Sequence, residues 1–200
     1  MRHRRWGAIA VIVGGALEVF RVVLTQFVFP SIAAPRVTAT VVALAPTLLI
    51  AVGLLAVGLS YNARGRLAFL IAAIFGLLLV AVNAAQILLA SPLGPAPSQL
   101  AIALHGASTA AAAVILLSDR SVLTPDRWSL TLPAGCMLLV VLGMSLLPWT
   151  ALAVLPAVGY IFGGYLVLRT TRELSTSRRA GFAEAPSSRD GVESHQTKGG

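Results

Sequence analysis

"LAFLIAAIFGLLLVAVNAAQILLA" (residues 67–90) runs for 24 positions without a charged side chain. As an α-helix rising ~1.5 Å per residue it measures ~36 Å, more than the ~30 Å hydrocarbon core of a bilayer. Arg64 and Arg66 precede it, and the proline-rich "SPLGPAPS" (91–98) follows it. Its only strongly polar side chains are Asn83 and Gln86, three apart and so on one face of a helix. A soluble helix would carry charges along its outer face. This segment has none and reads as a membrane-spanning helix.

The same pattern recurs along the chain. Six apolar segments span about 6–28, 38–60, 67–90, 98–118, 130–147 and 150–168. The chain is 57% hydrophobic and only 11% charged, against the ~25% charged of a soluble domain. The fold class is therefore an all-α membrane protein, a six-transmembrane-helix bundle in residues 1–170. The fifth and sixth spans are short and joined by "PWT" (148–150), yet Arg127 and Arg169 lie ~63 Å apart as helix, which is two crossings. From Thr171 the chain turns Ser-, Arg- and Gly-rich, and 171–200 reads as a disordered cytoplasmic tail.

Charge sets the direction. Arg2, Arg4 and Arg5 precede the first span. Arg64 and Arg66 lie in the second connection, Arg120 and Arg127 in the fourth, and six more Lys or Arg from Arg169 onward. Only Arg36 falls on the other side. Positive residues stay inside, so both termini are expected in the cytoplasm. Arginine-rich, alanine-rich composition suggests a bacterial chain in the cytoplasmic (inner) membrane. The basic start resembles a signal peptide, but the apolar run is too long and contains Glu18 and Arg21. The net charge of +8 does not point to nucleic acid, because the basic residues flank apolar runs and line no polar domain. Asp119–Arg120 and Asp126–Arg127 read as charge pairs at the membrane edge.

Charges inside a bilayer are costly and mark candidate sites. Glu18 and Arg21 are three apart on the first span, ~18 Å and ~22 Å from its inner edge. His105 on the fourth span lies ~20 Å from the inner edge; Asn83 and Gln86 on the third lie ~26 Å and ~30 Å. These five residues are the candidate ligand-binding cluster, opening outward, for a small molecule or ion. The competing reading is a structural polar knot serving packing or assembly in an accessory subunit. His105 without a second ligand at metal spacing is not a metal site, and no cofactor is expected. The lone Cys136 excludes a disulfide or a cysteine cluster within one chain. No GxSxG, HExxH or P-loop is present, so no enzyme activity is expected.

Ala72 and Gly76, and Gly159 and Gly163, are small pairs four apart that let helices approach closely. They suit contacts within the bundle, or a seam with a second copy or a membrane partner subunit. Trp6, Trp128, Trp149 and Tyr61 fall near span edges, as an aromatic belt does. Six spans in about 200 residues with both ends inside resemble, in architecture alone, the substrate-capturing membrane components of vitamin importers and several small exporter families.

Overall fold

A computed structural model describes residues 2–27, 36–88, 96–143 and 154–183, with side chains over 2–24, 44–85, 100–140 and 154–177. Among these residues the chain is entirely helical: α1 Arg2–Phe27, α2 Arg36–Gly58, α3 Ala63–Leu88, α4 Ala96–Ser118, α5 Thr124–Gly143 and α6 Val154–Ala183. The connections 28–35, 89–95 and 144–153, the tail 184–200 and the Gln86 side chain lie outside the described residues.

Each helix packs on its chain neighbours, and α6 closes the ring on α1. All six contribute to one core, from Ala8 and Val11 on α1 to Tyr160 and Val167 on α6. Alanine is its commonest member, and large apolar side chains such as Phe20, Ile74, Val114 and Phe162 point outward. That inversion fits a lipid-facing surface, where burying Leu against Leu gains little over burying it in acyl chains. Four helical stretches are long and apolar enough to cross a bilayer: Arg2–Leu24, Ala63–Ala85, Leu100–Ser118 and Val154–Ser177. Within α2 the apolar stretch Leu44–Gly58 is shorter.

Glycines set the helix spacing. A Cβ on Gly7 would meet the Gly53 carbonyl oxygen at 2.6 Å, and one on Gly53 would meet the Gly7 oxygen at 2.7 Å, so α1 and α2 touch backbone to backbone. Gly164 lies on Ala8 and Gly15 on Ala157, which binds α6 to α1. Gly159 and Gly163 lie on Pro133 and Ser129 of α5. Gly76 meets Ala51 of α2, and Ala72 is fully buried. These small faces are thus occupied within the chain.

Four expectations are corrected. Residues 171–183 are not a disordered tail: α6 continues to Ala183. Arg169 Nε donates to Glu173 Oε1 at 2.9 Å across one turn, and Thr171, Ser175 and Thr176 satisfy their hydroxyls on carbonyls of the preceding turn. The i, i+4 ion pair supports a helix in a segment whose composition alone reads as unstructured. The fifth helix starts at Thr124, six residues before the expected 130, with Pro125 and Asp126 in its first turn, where both favour initiation. Its Asp126 does not pair with Arg127. Arg127 instead donates to the carbonyls of Val122 and Arg120, both at 2.9 Å. Nor does Asp119 pair with Arg120. The Ser121 N–H and O–H donate to Asp119 Oδ1 at 3.0 Å and 2.6 Å and hold its carboxyl below the usual carboxylate range.

Candidate functional site

The start of α1, the α2–α3 turn, the α4–α5 turn and the last turns of the α6 core meet at one end of the bundle. Asn62 Nδ2 donates to Ser121 Oγ at 2.5 Å and ties the two turns together. Deeper, Arg4 Nη2 donates to Asp126 Oδ2 and, at 2.7 Å, to Thr170 Oγ1. The Thr170 hydroxyl donates to Asp126 Oδ1 at 2.6 Å. Asp126 is completely buried and Arg4 nearly so. The Arg4 guanidinium sits 5.0 Å from the Tyr61 ring centroid, and Tyr61 stacks on Phe69 at 5.1 Å. Burial, and next the charge of Asp126, push the Tyr61 hydroxyl well above its ordinary value, so it stays protonated at any physiological pH. Its hydroxyl feels the Asp126 charge but makes no hydrogen bond of good geometry; Tyr61 Oη and Arg4 Nε are both buried without a partner. Such atoms typically cost ~1–3 kcal/mol each.

Sequence reasoning missed this network. Its members lie 122 and 166 positions apart, and each looks ordinary alone. The one available signal was the shared end of the basic connections, which places Arg4 and Asp126 at one level.

The second polar group lies nearer the middle of the bundle. His105 is buried on α4 and reaches across the interior to α6, where Nε2 lies 3.1 Å from Tyr160 Oη. The Thr109 hydroxyl donates to the His105 carbonyl at 2.8 Å and lies 3.4 Å from Tyr160 Oη. The Tyr160 hydroxyl and the His105 Nε2 share one hydrogen bond, whose donor is set by the imidazole tautomer. His105 Nδ1 is buried and has no hydrogen-bond partner. The ring's Cε1 faces Gly76 on α3, 3.4 Å from where a Cβ would stand, so a side chain there would crowd the imidazole. Tyr160 and Thr109 did not stand out in the sequence, because one tyrosine and one threonine in apolar runs read as ordinary span residues. Replacing Tyr160 by Phe leaves both ring nitrogens of His105 without a bond and should cost ~1–3 kcal/mol. Thermal melting in detergent measures it, and Thr109→Val, which keeps the Tyr160–His105 bond, should cost less.

Glu18 and Arg21 form an ion pair along α1: Arg21 Nε donates to Glu18 Oε2 at 2.9 Å, and Nη2 donates to Oε1. Their side chains are 20% and 28% exposed. Glu18 follows Val11 by seven residues, roughly two turns, so it shares the interior-facing stripe of Ala8 and Val11. Asn83 follows Gly76 by the same interval and shares the face that meets His105. The α1–α6 glycine contacts put Tyr160 level with about residue 14 of α1, so Glu18 lies ~6 Å farther from the Arg4 network. Asn83 is ~10 Å beyond Gly76. Side chains lean toward their helix N-terminus, which inclines both back toward His105. Glu18, Asn83 and His105 therefore share the interior in one half of the bundle. Arg21 turns toward the α2 side, on the face of Gly14, which packs on Pro46 and Ile50. Direct contact of the Glu18–Arg21 pair with His105 is absent among the described bonds, and α1 and α3 are separated by α2 in the ring. Among the described residues no three His, Cys, Asp or Glu come together to hold a metal. In comparisons with protein-family models, with characterised proteins and with solved structures, the chain matches none.

Proposed function

We propose that the chain is a bacterial cytoplasmic-membrane protein of six spans, with both termini in the cytoplasm, that binds and moves a small molecule or ion through the interior group of Glu18, Asn83 and His105, with Arg21 as the ion-pair partner of Glu18 and Gln86 one turn beyond Asn83. The observation that carries this reading is the buried His105 Nδ1, which has no hydrogen-bond partner; helical spacing supports it, setting Glu18 on the stripe of Val11 and Asn83 on that of Gly76 in the half of the bundle away from the basic turns. The orientation rests on the basic segments gathered at the other end, which the positive-inside rule assigns to the cytoplasm. No enzymatic reaction, metal or cofactor is proposed. A second reading is an accessory subunit whose polar groups serve packing, and the mutual satisfaction of Glu18 and Arg21 favours it.

A mutant cycle separates the two. Glu18→Gln, Arg21→Leu and the double variant are each melted in detergent. For a binding site, Glu18→Gln is neutral or stabilising, because a charge held for a ligand burdens the fold. For a structural ion pair, each single change destabilises by ~1 kcal/mol or more and the double change recovers most of it.

A further inference from the structure

We infer that the Arg4–Asp126–Thr170–Tyr61 network is the inward gate of the bundle, a polar closure that parts to connect the interior with the cytoplasm. This rests on the proposed ligand path. The network spans the end through which a ligand would leave. Next to it lies a void of only about 10 Å³, lined by residues that include Val11, Val57, Gly163 and Val167, with room for about one water.

Its construction suits opening. Four separate parts of the chain meet there through side chains: α1 through Arg4, the α2–α3 turn through Tyr61, α5 through Asp126 and α6 through Thr170. Polar contacts can be exchanged for water when they part, at a small net cost per bond, which interlocked apolar side chains do not allow. Arg4 Nε is buried without a partner and the Tyr61 hydroxyl faces Asp126 without a bond of good geometry, and both would be hydrated on opening. Thr171 bonds back to the Val167 carbonyl at 2.6 Å, a contact that eases helix bending one turn from the gate.

The test uses Val11→Cys, a buried position on the void, in full-length protein with Cys136→Ser, reconstituted in vesicles. A charged, membrane-impermeant thiol reagent is applied from the cytoplasmic face. Labelling should be slow in this parent and about tenfold faster when Thr170→Val removes the threonine's bonds to both charges. Asp126→Asn should accelerate it further. A control cysteine at Ala113, buried on α4, should keep its rate in every background. Unchanged cytoplasmic labelling in Thr170→Val protein that still melts cooperatively overturns the gate, and so does equal acceleration at Ala113→Cys. Thr170→Val keeps both charges and decides the matter if Asp126→Asn does not fold. If the gate fails while a cysteine at Asn83 labels from outside, the ligand path survives without it.

Discussion

Asp126→Ala should lower the stability of the detergent-solubilised protein by about 3–5 kcal/mol, the largest loss expected from any single truncation of a polar side chain in this chain. Asp126 is fully buried, so solvent does not screen the pair with Arg4. Its removal strands a guanidinium among Tyr61, Thr170 and apolar side chains, and it leaves the Thr170 hydroxyl with only local carbonyl acceptors. Arg4 lies near the start of α1 and its stem can swing toward water, which holds the cost to the lower end of that range. The counter-variant is Arg4→Met with Asp126→Leu. An apolar pair of similar volume needs no desolvation of charge and should recover most of the loss. Thermal melting of the parent, the single variant and the double variant measures the coupling directly. If Asp126→Ala melted like the parent, the pair would hold no part of the fold together.

Gly163→Ala should cost about 2 kcal/mol and Gly159→Ala a similar amount, although alanine is the better helix former by ~1 kcal/mol. The added Cβ at Gly163 collides with the backbone oxygen of Ser129, and the one at Gly159 comes within 2.6 Å of Pro133 Cα. Both obstacles are backbone, so no rotamer change relieves them, and α5 must move away from α6. That movement also pulls Asp126 from Thr170. Gly135→Ala on the same pair of helices is the control, since its Cβ would meet nothing within 4 Å. It should be neutral or gain up to ~1 kcal/mol. Opposite signs at Gly163 and Gly135 in one melting series would establish that the glycines act through helix spacing.

Much of the helical layout was legible because charge-free runs of span length have few other uses. The helices α2, α3 and α4 were placed within a few residues, where basic turns or prolines mark the ends. The start of α5 was placed too late because "TPDRWS" is polar; only the tertiary pairing of Asp126 with Arg4 shows why a charged first turn can lie inside the bundle. The helical extension to Ala183 was hidden because Ser- and Arg-rich composition outweighs a single i, i+4 ion pair in any compositional reading. Within the candidate site, Glu18, Asn83 and His105 could be named, since a polar side chain in an apolar run announces itself. Tyr160, Thr109, Arg4 and Thr170 could not, because their importance lies in which helices the ring brings opposite each other.

The most direct measurement is thiol accessibility at Asn83→Cys in a Cys136→Ser background, with Ile74→Cys on the outward, lipid-facing side of the same helix for comparison. A charged, impermeant reagent is added to either face of sealed vesicles. A polar interior open to the outside predicts rapid labelling of the cysteine at 83 from the outer face, little from the cytoplasmic face, and none at 74 from either. Failure of the cysteine at 83 to react from the outer face, in protein that melts normally, would contradict a water-accessible path and leave the interior polar groups as packing alone.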